Sequence, residues 1–430
     1  MKVSRIATNV VFTAFSFITS AYADPFANTL TGDWRGVRND LAEKGYLLLG
    51  NYQSQAAHNF TGGQREITRY TDQFSLIGTF DFEKIFGWDG ATFQTIITER
   101  SGRNINIDAD IGAYDQLQAI WGRGQTWWLT QFALTQKLIG DRLEIRLGRL
   151  TVEQDFDSQP CDFQNITFCG GPQGNLVGDY WINWPASQWA GVVTWHTDKD
   201  SYIKAGAYQL NPTYVDSTWA RSNAWLPNFP SGTVGALIPV EYGWSSSLYG
   251  KASHYMVGAW YNTAGGNDLY LNEDNDSLGT NGGNALHRGG RYGVYFTAQQ
   301  QLTGDAQKGW NATFNIAAAD KATSYLDHQA TLMIQYKGIF DHPRDFIGLG
   351  LGATHGNPRY ASYQRDWNQA NPDQVPLRVF DGYEYESEAF YNWSPIPGVN
   401  FRPNLQWILH PGGSDNGSAL VLGLNTLVLF

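Results

Sequence analysis

The chain is poor in charge, in sulfur and in long apolar runs. Charged residues are 16% of 430, well below the roughly 25% of an ordinary soluble domain. The balance is acidic, with net charge -11 and no basic run, so phosphate backbones are repelled and no nucleic-acid partner is expected. No stretch reaches the about 20 apolar residues that a membrane-spanning helix needs. Neither G-x-S-x-G nor H-E-x-x-H occurs, so the motifs that place an activated serine or a catalytic zinc are missing. No cofactor is expected. What the chain has in quantity is 17 Trp, 23 Tyr and 47 Gly. Tyr and Trp in that share suit surfaces that are half apolar and half wet.

The first residues read as a secretory signal, 1–23. Lys2 and Arg5 form the charged start, Val10 to Ile18 the apolar core, and Ala21-Tyr22-Ala23 the cleavage motif, so the exported chain begins at Asp24. Export makes the compartment oxidising, and Cys161 and Cys169 are then expected to pair as a disulfide, with two free thiols as the alternative. Residues 24–45 form an N-terminal periplasmic segment carrying one amphipathic helix of roughly three turns. Thr31 or Asp33 caps it, Trp34, Val37 and Leu41 share one face, and Gly45 stops it.

From 46 to 430 the apolar period is two. Leu143, Ile145 and Leu147 oppose Arg142, Glu144 and Arg146; Tyr383, Tyr385 and Ala389 oppose Glu384, Glu386 and Glu388; Leu405, Trp407 and Leu409 oppose Asn404 and Gln406. Such segments, about 9–11 residues each, have the length of tilted transmembrane strands. We read strands near 46–56, 74–82, 91–100, 126–136, 142–149, 187–196, 201–210, 240–247, 253–262, 291–300, 310–318, 328–337, 345–354, 382–393, 399–409 and 419–430. The weakest stretches are 240–247 and 110–121, the latter spaced more like a helix turn. Short gaps alternate with long ones at 57–73, 101–125, 150–186, 211–239, 263–290 and 355–381. That alternation is the pattern of an outer-membrane barrel, with short periplasmic turns and long external loops. The expected fold is all-β: a 16-stranded antiparallel transmembrane β-barrel with a short N-terminal periplasmic helix. Trp127, Trp128 and Trp189 are expected in the outer aromatic girdle, and Phe80, Phe82, Phe86, Trp88 and Trp393 in the inner one. The last stretch, ALVLGLNTLVLF, is a lipid-facing strand that closes the barrel against 46–56.

A barrel of that size has room for an aqueous channel. Its inward residues are mixed in sign: Arg100, Arg142, Arg146 and Lys204 against Glu144, Glu241, Glu384, Glu386 and Glu388, with Gln94, Gln131 and Gln406 between them. An ion-selective pore would show a ring of one sign. Donors, acceptors and aromatic faces together suit a neutral, hydroxyl-rich solute such as a sugar. The loop 150–186, with Glu153, Asp155, Trp184 and the cysteine staple, is expected to fold into the lumen as its constriction; the alternative is a stapled surface loop.

The stretches LTGDWRGVRNDLAEKGY, TERSGRNIN, LEIRLGRLTVEQDF, GAYQLNP, PNLQWILHPGG and LVLGLNTLVLF together resemble the carbohydrate-selective porins (OprB type) of Gram-negative bacteria. The likeness spans nearly the whole chain after the signal. It implies an outer-membrane barrel passing glucose and other sugars by passive diffusion, through a channel narrowed by Arg and acidic residues. On the matching positions that role falls to Arg100, Arg103, Arg146 and Arg149, and to Glu153 and Asp155. Phe430 resembles the C-terminal aromatic recognised by the barrel-assembly machinery. Arg35 departs from the family, which more often has a second Gly there. The Cys161–Cys169 insert is not universal in it, and both leave sugar preference open.

Other classes are weaker. Glu384, Glu386 and Glu388 share one strand face, whereas a glycosidase pair flanks its substrate. The eight histidines are scattered along the chain. A general small-solute porin without sugar selectivity stays as the alternative, with an outer-membrane or secreted carbohydrate-active enzyme behind it. An acidic stretch at 271–283 lacks the ligand spacing of an EF-hand. Partners are outer-membrane lipid and permeating sugars; monomer and homotrimer both stay open.

Overall fold

Alternation of period two builds strands wherever one face meets lipid and the other water, and each segment read above becomes one. The structure, a computed structural model, describes residues 25–178, 180–414 and 417–430; the expected signal 1–23 and the cut before Asp24 lie outside the described residues. Numbered in chain order, the barrel strands are β1 (Tyr46–Thr61), β2 (Thr68–Asp81), β3 (Ala91–Gly102), β4 (Trp127–Leu138), β5 (Leu143–Leu150), β6 (Gln188–His196), β7 (Ser201–Leu210), β8 (Gly235–Leu248) and β9 (Lys251–Asn262). A two-stranded hairpin outside the barrel follows, β10 (Gly266–Asn272) and β11 (Ala285–Arg288). The barrel resumes with β12 (Arg291–Gln301), β13 (Gly309–Ala319), β14 (Leu326–Lys337), β15 (Phe346–Gly356), β16 (Tyr383–Ile396), β17 (Val399–Leu409) and β18 (Ala419–Leu429). Each pairs antiparallel with the next, and β18 pairs with β1 from Asn51↔Leu429 to Thr61↔Leu420, so no edge is left open.

The faces follow the pattern. Leu76, Leu147, Leu349, Leu351, Leu422 and Leu424 are exposed on the outside, while Ser75, Thr98, Thr297, Gln329 and Asn425 are buried on the inside. Phe86 and Trp88 stand exposed at the periplasmic end, where Phe82 stacks on Trp88 and on Phe93. Trp127 is exposed at the outer end, but Trp128 is not a girdle residue. It is 1% exposed and packs with Ile182, Tyr214 and Ala220 beneath the external loops. Arg142 also departs from the inward assignment: it is exposed at the periplasmic rim and lies over the Trp195 ring.

Three further expectations need correction. The gap 57–73 shrinks to 62–67 because β1 and β2 run further out than their apolar alternation shows. The stretch 110–121 is neither strand nor helix; a short helix lies before it, at Ile105–Asp108. The N-terminal helix is only Val37–Glu43, with no side-chain cap, because Trp34, Arg35 and Gly36 all take positive φ. That left-handed run uncoils the start, and at Arg35 (φ 60°) it is the conformation a glycine holds without cost. The helix buries Arg38 rather than its apolar stripe: Trp34 and Val37 are about half exposed. Arg38 donates to the carbonyls of Leu48 (2.6 Å) and Phe430 (3.1 Å), bracing the seam between β1 and β18.

Candidate functional site

The loop 150–186 folds into the barrel. Its polar backbone needs partners there, and the inner wall supplies them. Glu388 of β16 accepts from the backbone N–H groups of Gln164 (2.9 Å) and Asn165 (2.7 Å). Asp157 accepts from Asn315 (2.8 Å), Gln173 (2.6 Å) and Thr297, while its own N–H donates to Glu241 (2.8 Å). Arg402 donates to the carbonyl of Asp162 (3.0 Å). Apolar contacts add to these: Phe163 and Phe168 pack on Met333 and Phe390, and Trp181 meets Trp260 and Tyr295 edge-on. Cys161 and Cys169 are disulfide-bonded within this loop.

The loop 103–126 also turns inward, against the closing seam. Leu117 packs with Ile408 and Val421, and Gln118 donates to the Gln55 carbonyl (2.7 Å). The two loops then join each other. Ala119 N–H donates to Gln164 O, and Ile166 N–H to Gln116 O, both at 2.9 Å. Together they form a shelf across the interior, spanning from β1 and β18 to the β8–β16 wall.

One cluster of mixed charge and aromatic surface lies at the edge of that shelf. Arg100 donates from Nε to Gln73 Oε1 (2.8 Å) and from Nη1 to Trp121 O (3.3 Å). Trp184 donates its indole N–H to the same Gln73 oxygen (2.9 Å), and its backbone N–H to Glu153 Oε1 (2.9 Å). Gly170 has φ 68°, which favours glycine, and a Cβ there would stand 2.3 Å from Glu153 Oε2 and displace this carboxylate. Burial pushes the Glu153 carboxyl above its usual range, against the N–H groups of Trp184 and Gly171 and the charges of Arg100 and Arg123. Arg123, Trp121 and Trp184 are partly exposed at this edge.

The residues expected from sequence thus fall into groups. Arg100, Glu153 and Trp184 converge. Arg146 and Asp155 form an ion pair beneath the shelf, where Asp155 also accepts from Tyr208 (2.9 Å). Glu384 accepts from the N–H groups of Tyr114 (2.9 Å) and Gly412 (2.6 Å), and Gln406 donates to Leu117 O (3.1 Å). Glu386 accepts from Thr167 (3.3 Å). These three fasten loops to the wall. Arg103 lies apart, 68% exposed and paired with Asp108 (2.7 Å). Arg149 is fully buried, with its guanidinium over Tyr214 and donating to Ser187 O (2.6 Å), so it has no surface for a passing solute. Arg123 and Gln73 were not foreseen. The signal for Arg123 is its place in Gly122-Arg123-Gly124, where two flexible residues hold one cation at positive φ.

Further out, the hairpin β10–β11 and the helix Pro358–Ala370 cover part of the channel mouth around a cavity of about 680 Å³. Residues 65–430 match the family described as carbohydrate-selective porin, OprB family. The chain belongs to the OprB family of carbohydrate-selective porins. Porin B of Pseudomonas aeruginosa is 39% identical over 423 residues, covering 94% of this chain and 92% of its own. The high-pH structure of Pseudomonas putida OprB superposes with a TM-score of 0.90 at 35% identity, covering 94% of this chain and 99% of that one. The low-pH structure of the same protein gives 0.60 at 28% identity, with 95% and 100% covered. An OprB-family porin is a channel of the Gram-negative outer membrane and not an enzyme. The carboxylates that resemble a glycosidase pair in sequence, Glu384 and Glu386, are here occupied by loop contacts.

Proposed function

We propose that sugars cross this porin at the edge of the shelf, where Trp121, Arg123 and Trp184 border the path and the buried Arg100 and Glu153 stand directly behind them. The observation that carries this reading is the shared Gln73 oxygen, which holds the Arg100 guanidinium and the Trp184 ring side by side next to a carboxylate. A pyranose presents hydroxyls around its rim and C–H groups on its faces. Guanidinium N–H groups donate to the hydroxyls, a carboxylate accepts from them, and an indole covers the C–H face. Two cations against one anion set no single-sign ring, so the path favours polarity over charge. Liposome swelling with glucose, a disaccharide, an amino acid and a salt of similar size tests it. Glucose is expected to enter faster than its size alone allows; entry ranked by size alone defeats the proposal. Arg100→Ala is expected to change glucose block of single-channel current.

The same reading extends to biogenesis. A cleaved signal at 1–23 delivers the chain to the periplasm, and Phe430 presents its C-terminal aromatic to the assembly machinery. In support, Phe430 ends the seam strand, with its N–H on Gly50 O (2.8 Å) and its carbonyl held by Arg38. Deleting Phe430 is expected to impair insertion in cells; normal insertion ends that role.

A further inference from the structure

A second site lies on the outside of the barrel, at the external end of β14, β15 and β16. His328 and His355 are cross-strand partners, and His355 pairs in turn with Tyr383. All three point away from the lumen. Their rings cluster: His328 stacks on His355, with centroids 4.6 Å apart and 25° between planes, and Tyr383 meets His328 edge-on. The register breaks between Leu326 and His328, so Asp327 has no cross-strand partner, and its carboxylate turns to the histidine side. Nδ1 of His328 and Nδ1 of His355 each lie 2.7 Å from the same oxygen, Asp327 Oδ1. The other carboxylate oxygen accepts no hydrogen bond and has Lys321 Nζ at 3.5 Å. Among the described residues this is the group of three His, Cys, Asp or Glu side chains whose ligand atoms converge, all within 4.8 Å of one another.

We propose that Asp327, His328 and His355 bind a divalent transition-metal ion, Zn²⁺ or Cu²⁺, on the external rim. Two imidazoles and one carboxylate are a donor set suited to such ions. Zinc bonds of about 2.0–2.2 Å place tetrahedral ligand atoms about 3.3 Å apart. The three atoms therefore need to open by roughly half an ångström, within reach of side-chain torsions at a strand bulge. Tyr383 adds the outer partner that ligating histidines usually have. Its hydroxyl is 2.8 Å from His328 Nε2, so His328 can donate there while Nδ1 turns to the metal. Water completes the shell, because the side chains of His328 and His355 are 33% and 17% exposed. The remaining six histidines lie elsewhere in the chain.

Tag-free protein purified in detergent tests this by Zn²⁺ titration calorimetry and by Cu²⁺ electron paramagnetic resonance. One Zn²⁺ site per barrel is expected, with nitrogen couplings from two imidazoles in the Cu²⁺ spectrum. The double variant His328→Ala/His355→Ala should lose both, and Tyr383→Phe should weaken Zn²⁺ tenfold to a hundredfold. Heat-modifiable migration on gels confirms that each variant is a folded barrel. Equal Zn²⁺ affinity in the wild type and the folded double variant, or a Cu²⁺ spectrum without nitrogen coupling, overturns the proposal.

Discussion

Glu388 on the inner wall of β16 accepts the backbone N–H of Asn165, in the folded-in loop, at 2.7 Å. The same carboxylate takes Gln164 N–H at 2.9 Å. Two residues along the strand, Glu386 meets Thr167, and two further, Glu384 meets Tyr114 of the other inward loop. Three carboxylates at period two on one strand face therefore act as brackets. Glu388 and Glu384 satisfy loop backbone that would otherwise stand unpaired inside the barrel, and Glu386 holds the Thr167 hydroxyl.

Removing one bracket should loosen the shelf without opening the barrel. Hydrogen bonds to a charged group contribute about 1.5–3 kcal/mol each, so Glu388→Ala costs the loop a large share of its local stability. Conductance in KCl and swelling rates with a trisaccharide are expected to rise, and preference for glucose to fall. Glu388→Gln keeps an acceptor and should lie between. Unchanged trisaccharide exclusion in the folded Ala variant would show that Glu388 does not hold the loop.

The arginines separate by place. Arg123 stands at the shelf edge with Glu153 and Arg100, whereas Arg103 sits on the outer rim with Asp108. Arg123→Ala is expected to lower glucose flux severalfold and to shift selectivity toward cations by removing one of two positive charges. Arg103→Ala should leave both within error. Swelling rates and reversal potentials measured on the two variants decide; equal loss in both argues against a localised sugar path.

The barrel was legible because strand alternation depends on each residue alone: Leu422 and Leu424 face out, and Asn425 faces in, as their side chains dictate. Parity also put Arg100, Glu384, Glu386 and Gln406 inside. What parity cannot tell is whether an inward side chain meets water or a folded-in loop. Glu386 and Gln406 are buried because 115–118 and 164–167 lie on them, a contact across more than 200 residues of sequence. Arg149 is a different case: its channel role came from the family resemblance, and the loop 211–234 covers it, with its guanidinium over Tyr214 and donating to Asn228 O (3.3 Å). The helix start failed because three consecutive left-handed residues are invisible to a cap-and-stripe pattern when two of them are Trp and Arg.

Asp268 predicts a pH-dependent channel mouth. Burial works against its ionisation, but the N–H groups of Leu271 and Tyr270, with the guanidiniums of Arg288 and Arg359, outweigh it and hold the carboxyl below the usual range. A lowered carboxyl stabilises the ionised fold above the unfolded value of about 3.9 and loses that stabilisation as pH falls through the folded value. Protection of the hairpin β10–β11 from amide exchange should stay level from neutral pH to about 5 and drop below about 4. Asp268→Asn should show low protection already at neutral pH and a flat profile below it. A flat profile in the wild type would remove Asp268 as the fastener.

Arg38 predicts that the periplasmic segment is part of the barrel's closure. Its guanidinium reaches Leu48 O of the first strand and Phe430 O beyond the last one, and its other terminal nitrogen donates to Gly32 O (2.9 Å). It also lies 3.9 Å from the centre of the Phe26 ring. One cation thus ties the segment before β1 to both sides of the seam. Arg38→Ala should lower barrel stability by about 2–4 kcal/mol, since bonds from a charged donor to carbonyls are worth about 1.5–3 kcal/mol each and the cavity is only partly refilled. Arg38→Lys keeps the charge but a single donor point, so it should recover part of the loss. The check is the temperature at which the folded gel band converts to the unfolded one. Arg35→Gly serves as the control on the same segment: it relieves a left-handed arginine and should hold or raise that temperature. If Arg38→Ala melts with the wild type, the segment is an attachment to a barrel that closes without it.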